Sequence, residues 1–258
     1  MAGIAPVTEV AGPSFTPLPF GLFSVLTFRD GAPERWFNGV SWKGDECGTT
    51  LNSIRLDCDS SATTGLPKVL DVIETENGLA LPFTVYAHYR CSPIGNTLAY
   101  AQQQAEKRLL RHEEAAVTAA VLAFIADNAE SQGAGVTWGD ALGKLEQHLA
   151  TEYGGLGVLY ANRLTVARAE GKLRLNKQGS TLVTETGTPV VVHSGGNPEQ
   201  LLISAPLFGY RSEIFVPSGR EGDLLDRQNN DLYAVAERTY VVGIDKCGLA
   251  TASVPATA

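Results

Sequence analysis

The chain has 258 residues, 44% of them apolar and 19% charged, with 27 Gly, 13 Pro and a mean hydropathy of −0.02. That excludes a disordered tail, a collagen and a disulfide-dense miniprotein, and the length suits one large or two modest domains with ample apolar side chains for a core. Twenty Lys and Arg against 28 Asp and Glu leave a net charge of −8, which speaks against a dedicated nucleic-acid binder, because neutralising phosphates needs clustered cations. No window approaches the ~18 uninterrupted apolar residues of a membrane helix, so no membrane partner is expected. The N-terminus has no Lys or Arg before Arg29 and three prolines by Pro17. It lacks the basic-then-apolar order of a signal peptide, and synthesis inside the cell is expected. Cys47, Cys58, Cys91 and Cys247 show no C-x-x-C spacing. They read as buried free thiols, with a disulfide or weak metal site at Cys47 and Cys58 as the alternative.

Residues 1–19 are small, Pro-punctuated and nearly uncharged, an arm that orders only against something else. From 20 to about 58, short apolar runs alternate with turn residues and predict β-hairpins. The Ser/Thr/Gly composition of residues 60–65 predicts a flexible stretch. Residues 81–89 form a strand whose alternation puts Phe83, Val85, Ala87 and Tyr89 on one face. The character changes after Pro93 and Gly95. With Asn96 or Thr97 as cap, residues 98–127 hold no Gly or Pro, and Leu98, Ala101, Ala105, Leu109, Ala116 and Ala120 recur at helical spacing beside Val117, Val121 and Phe124. One helix of about 45 Å follows, at ~1.5 Å per residue. Its polar face carries Lys107, Arg108, Arg111, Glu113 and Glu114.

A Gly-rich loop over 129–136 precedes a second helix, with Thr137 as cap, Asp140 reaching back, and Trp138, Ala141, Leu142, Leu145 and Leu149 as its apolar stripe. Gly154-Gly155 ends it. A buried strand at 156–160 comes next, then a short helix at 162–170, then a hairpin in which 181–183 and 189–192 flank the turn Thr186-Gly187-Thr188. Strands at 214–216 and 232–244 complete the pattern.

Sites for chemistry are sparse. Gly154-Gly155-Leu156-Gly157 follows a helix and precedes a strand, the reverse of a dinucleotide fingerprint. No Walker A motif or G-x-S-x-G elbow is present. His88, His112, His148 and His193 sit in four separate elements without an H-E-x-x-H frame, and His193-Ser194 has no placed acid. Cys91, just before the long helix, reads as a small apolar plug rather than an activated thiol. Glu113 and Glu114 point roughly 100° apart on a helix, which suits surface or intersubunit salt bridges. No catalytic, cofactor-binding or metal-binding residue is assigned, no cofactor is expected, and the chain reads as a non-enzyme.

Three motifs in order carry a family resemblance: Thr137-Trp138-Gly139-Asp140-Ala141-Leu142, then Gly157-Val158-Leu159-Tyr160-Ala161-Asn162-Arg163, then Gly187-Thr188-Pro189-Val190-Val191-Val192. With the long helix upstream and Asp226-Arg227-Gln228-Asn229-Asn230 before the last strand, they resemble the A-domain signature of tailed-phage major capsid proteins. This is the Hong Kong 97-type fold shared with encapsulins. The chain is similar to capsid subunits of phages infecting actinobacteria. The resemblance implies an α+β architecture in these parts: 1–19 the N-terminal arm, 20–95 the E-loop and P-domain strands, 96–132 the P-domain spine helix, 133–200 the A domain, and 201–258 the A-domain closing strands with a return strand to the P domain. The arm shows no helical leader, so a scaffold is expected to be either removed or separate. No motif transfers the family's cross-linking chemistry to any residue.

The function so implied is structural: a major capsid subunit that self-assembles into hexamers and pentamers of an icosahedral phage head enclosing double-stranded DNA without sequence-specific binding. Its partners would be other copies of itself through the E-loop and N-arm, with scaffold, portal and decoration proteins. Its place would be the virion, after assembly in the host cytoplasm. The low charge fraction suits large self-interfaces. Trp36, Trp42, Arg108, Arg111, Glu113 and Glu114 are candidate intersubunit contacts. Gly187 and Pro189 are the structural turn, with Gly187 expected at positive φ. The arm and part of 20–81 are expected to contact other subunits more than their own chain. The alternatives are an encapsulin-like compartment shell, a minor head or decoration protein and, in another class, a cysteine-dependent enzyme.

Overall fold

The structure is a computed structural model, and it describes residues 14–29, 31–43, 77–217, 225–226 and 230–254. In chain order, a 3-10 turn at Leu22–Ser24 leads to β1 (Thr27–Phe28), and a second such turn at Pro33–Arg35 leads to β2 (Val40–Lys43). Next come β3 (Asn77–Ala80), β4 (Phe83–Cys91), α1 (Leu98–Asn128), β5 (Glu130–Ala134), α2 (Trp138–Glu152), β6 (Val158–Asn162), α3 (Arg163–Arg168) and β7 (Asn176–Gln178). Then follow β8 (Thr181–Val183), β9 (Pro189–His193), β10 (Gln200–Ser204), β11 (Leu207–Arg211), β12 (Leu225–Asp226), β13 (Asp231–Ile244) and β14 (Ala250–Ser253).

Among the described residues these strands form two main sheets and one pair. The first sheet is centred on β13, which pairs antiparallel with β4 from Leu232↔Cys91 to Tyr240↔Phe83, and with β11 and β12 on its other side; β1 joins β11 in parallel. The second has the order β5-β14-β10-β6-β9-β8-β7 and is mixed, with β5–β14 and β6–β9 parallel. Strands β2 and β3 pair with each other.

Helix α1 joins the two sheets. Thr97 Oγ1 accepts the Tyr100 N–H at 3.2 Å, and no Gly or Pro interrupts the 31 residues that follow. Its first half is small: Ala101 and Ala105 let the helix lie close on Ala234 and Ala236 of β13, with Leu109 beside them. Its second half is larger, and Val117, Val121, Leu122 and Ile125 pack on Tyr160, Val191 and Leu202 of the seven-stranded sheet. That sheet is covered on its other face by α2, whose Trp138, Ala141, Leu145 and Leu149 meet Leu159, Ala161, Val190, Val192, Leu201 and Ile203. Alternate residues of β6, β9 and β10 thus enter opposite cores, which explains why these strands read as unbroken apolar runs. Each large side chain so buried contributes roughly 1.5–3 kcal/mol.

Local signals fix the ends. At α2, Thr137 Oγ1 accepts the Asp140 N–H at 3.1 Å while Asp140 Oδ2 accepts the Val136 N–H at 2.8 Å. Gly154, at φ +71, closes the helix by donating its N–H to the Leu149 carbonyl. Asn162 Oδ1 caps α3 at Leu164 N, 2.8 Å away, and its Nδ2 donates to the Gly195 carbonyl.

Several expectations are corrected. Residues 129–136 are not a loop throughout: β5 pairs with β14, which compensates for its polar, Gly-containing sequence. Residues 214–216 form one isolated bridge, Phe215↔Glu237, instead of a strand. Within residues 20–43, the described part of the expected hairpin region, there is no local hairpin among the described residues, because β1 pairs with β11 and β2 with β3. Residues 20–43 also pack on their own chain, since Leu22, Leu26 and Trp36 are buried. Residues 1–13, 44–76 and 227–229, which carry much of the expected arm, most of the expected E-loop and part of the 226–230 motif, lie outside the described residues, as do Cys47 and Cys58. Cys247 is disulfide-bonded, which corrects its reading as a free thiol; Cys91 is free.

Candidate assembly surfaces and the buried polar cluster

Where α1 passes from one core to the other, it carries a carboxylate inward. Glu113 lies one turn from Leu109 and one from Val117, on the buried stripe, and is 6% exposed. Arg238 Nη1 donates to both of its carboxylate oxygens at 3.1 Å, and the Tyr240 hydroxyl donates to Oε2 at 2.8 Å. Burial, then the adjoining carboxylate, pushes the Tyr240 phenol above its usual pKa. Glu113 is therefore an internal strut between α1 and β13, which corrects its assignment to an intersubunit contact. The signal was available: position 113 keeps the i, i+4 spacing of 109, 117 and 121.

Trp36 is corrected in the same way. It is 2% exposed, stacks on Tyr210 with centroids 5.9 Å apart, and donates its indole N–H to the Gly31 carbonyl. The other candidates stand nearer solvent. Glu114 Oε1 accepts the Phe23 N–H at 2.8 Å and so pins the turn at Leu22–Ser24 to α1. Arg108 donates to the His88 carbonyl at 2.8 Å, and the Arg111 guanidinium lies 5.6 Å from the Phe15 ring centroid. Half-buried Trp42 meets Phe208 edge-on and lines a groove of about 310 Å³ with Leu79, Leu81, Phe83 and Phe124. The candidates do not form one cluster, since Trp36 and Trp42 belong to the β1–β3 region and the other four to α1.

Gly187 has φ +93 and nothing within 4 Å of where a Cβ would stand. Its N–H bonds the Thr184 carbonyl, and the Thr184 N–H bonds the Thr188 carbonyl. Pro189 then opens β9, facing Val183 of β8. Sequence reading missed the anchor of this turn: Glu146 of α2 accepts hydrogen bonds from the hydroxyls of both Thr184 and Thr186.

Arg111, His112, Glu114, Arg163 and His193 line one cavity of about 330 Å³, and the other polar candidates lie apart from it. Among the described residues no cluster of three or more His, Cys, Asp or Glu could hold a metal ion, and no helix is long and apolar enough to cross a membrane. His88 stacks on Tyr233, His148 pairs with Gln132, and burial pushes the His193 pKa down. The Cys91 thiol is held above its usual value by burial and then by Asp231, the opposite of activation. Large apolar side chains instead face solvent in the single chain: Val136 is 86% exposed and Ile94 80%, and Leu79, Leu81 and Tyr86 are also outside.

No protein-family model matches the sequence, and no curated protein matches it. Solved structures do. A chain from the capsid of a native GTA particle aligns with a TM-score of 0.55 at 10% identity over 99% of this chain and 96% of its own. A chain of Mycobacterium phage Che8 aligns at 0.53 and 12% identity over 98% of each. A chain from the mature capsid of bacteriophage PhiM1 aligns at 0.51 and 10% identity over 100% of this chain and 93% of its own. A long helix spanning two mixed sheets, matched end to end in chains from the PhiM1 and GTA-particle capsids, is the Hong Kong 97-type fold, and this chain has it.

Proposed function

We propose that this chain is the major capsid subunit of a phage head, self-assembling into hexamers and pentamers of an icosahedral shell around double-stranded DNA. The observation that carries the reading is the end-to-end correspondence with a chain from the mature capsid of bacteriophage PhiM1, over 100% of this chain and 93% of that one. The exposed Val136, Ile94, Leu79 and Leu81 support it, because apolar side chains this open are costly in a solitary chain and are covered in an assembly. In this reading α1 and the β13-centred sheet form the P domain, α2 and the seven-stranded sheet form the A domain, and residues 1–19 and part of 20–81 reach neighbours. Trp42, Arg108, Arg111 and Glu114 remain contact candidates. The subunit would assemble in the host cytoplasm with scaffold, portal and decoration proteins and end in the virion.

Negative-stain microscopy and sedimentation of the expressed chain test this. Closed shells or five- and six-membered rings are expected. A monodisperse monomer at every concentration, with or without other head proteins, would overturn the reading.

A further inference from the structure

The net charge of −8 conceals a marked asymmetry. Residues 163–178 hold Arg163, Arg168, Lys172, Arg174 and Lys177 against Glu170 alone, a net +4, so the rest of the chain carries −12. The fold gathers these cations. The last turn of α3 passes into two tight turns, closed by Lys172 N–H to the Ala169 carbonyl and Arg174 N–H to the Gly171 carbonyl, and then into β7. Arg163 donates to the Pro19 carbonyl and Lys177 lies 5.8 Å from the Phe20 ring, so both ends of the segment meet the same stretch of chain. Arg174 is partly spent on Glu185 at 3.5 Å. Arg168, Lys172 and Lys177 are exposed, and among the described residues no carboxylate pairs with them.

We propose that this basic turn, centred on Arg168, Lys172 and Lys177, is a contact surface for the phosphate backbone of duplex DNA. Its chemistry separates this partner from two others. A lipid surface would need a broad apolar face beside the cations, and Leu164 is the one large apolar side chain exposed on the segment. A protein interface is centred on aromatic and Arg anchors with Lys depleted; the segment has no aromatic residue, and two of the three cations at its centre are Lys. Long cations without carboxylate partners around a turn fit an anion whose charges repeat, and such contacts are sequence-independent. The contact is weak and local, so it is compatible with an acidic chain. It also stands apart from the shell reading, because it is measured on the chain whatever the chain assembles into.

The test is binding of a mixed-sequence duplex to the full chain, on the unassembled fraction, across a salt series. Arg168→Gln/Lys172→Gln/Lys177→Gln is compared with a matched control at exposed cations elsewhere, Arg35→Gln/Lys43→Gln/Lys107→Gln. Three phosphate contacts give a log–log salt slope of about 2.7, or roughly a 40-fold loss between 50 and 200 mM salt. The wild type and the control are expected to show it, and the first variant to lose most of it. Arg168→Lys/Lys172→Arg/Lys177→Arg, which keeps the charge, should bind as the wild type does. No binding by the wild type, or equal slopes for the wild type and the neutralised variant, would overturn the proposal. So would neutralisation that abolishes self-association while no DNA is bound, which would assign the turn to the acidic surface of a second copy.

Discussion

Removing the Glu113 carboxylate should be among the most damaging single changes in the chain. In Glu113→Ala the Arg238 guanidinium, whose side chain is 12% exposed, stays inside without its counter-ion, and the Tyr240 hydroxyl loses its acceptor. Stranding one partner of a buried pair costs about 3–5 kcal/mol, which for a chain of this length is a fall in Tm of roughly 10 °C. The pair as a whole is a different matter. Arg238 Nε has no partner even in the intact cluster, so the site already tolerates one unmet donor. Replacing all three groups by apolar ones of similar bulk, Glu113→Leu/Arg238→Met/Tyr240→Phe, removes the charges and the orphaned hydroxyl together and should return stability to within about 1–2 kcal/mol of wild type. Thermal and urea unfolding of the unassembled chain measure both variants. A shift below about 2 °C for Glu113→Ala, or an equal loss in the triple variant, would refute the claim that burial of an uncompensated charge sets the cost.

Gly187→Val should destabilise by about 1–2 kcal/mol through backbone strain alone, since φ is +93 and no atom lies near enough to clash. Particle yield by sedimentation should fall more than the folded fraction by circular dichroism, and unchanged unfolding would refute the turn geometry. Tyr160 and Tyr240 both titrate above the usual tyrosine value of 10.0, chiefly through burial. The folded state thus keeps protons that the unfolded chain releases, so stability is full below about pH 10 and falls as pH rises beyond it. Tyr240→Phe should flatten that fall, and a thermal midpoint that does not change across the alkaline range would refute the reasoning. Cys91→Ala should cost about 1 kcal/mol or less and leave particle yield unchanged, because the half-buried thiol packs and does not react; a lost assembly signal with intact unfolding behaviour would contradict it.

The helices were legible and much of the sheet was not, for one reason. A helix carries its partners within its own sequence: the expected 98–127 became Leu98–Asn128, and Thr137 and Asp140 cap where their side chains said they would. The β8–β9 hairpin was legible too, because its turn and both strands are contiguous. The long strands expected at 81–89 and 232–244 were legible from their own patterns, but short or polar strands whose partners are far away gave no such signal. Glu130–Ala134 is polar and contains Gly133, and it is a strand only because Ala250–Ser253 arrives beside it. Thr27–Phe28 is two residues long and pairs with Phe208 and Gly209. Local propensity cannot report a partner some 180 positions away.

The same distinction explains the misplaced contact residues. Charge and aromaticity mark a side chain as free to meet a neighbour only if the backbone leaves it outside, and that depends on pairings the sequence did not disclose. Trp36 looked available until Tyr210, brought by β11, closed over it. Glu113 looked like half of an acidic pair, but its neighbour Glu114 turns to the Phe23 N–H while Glu113 turns to Arg238 and Tyr240 of β13. One helical step of about 100° separates an outer tether from an inner strut. Both hold α1 at the level where it leaves the β13-centred sheet for the seven-stranded one. Arg238 and Tyr240 sit at adjacent turns of the β13 register against β4, opposite Val85 and Phe83, so a shift of that register by one residue would carry both groups to the wrong face and leave Glu113 without a donor. The cluster therefore does more than add stability. It allows only one register between the long helix and the long strand, and so fixes how the helix hands over from one sheet to the other.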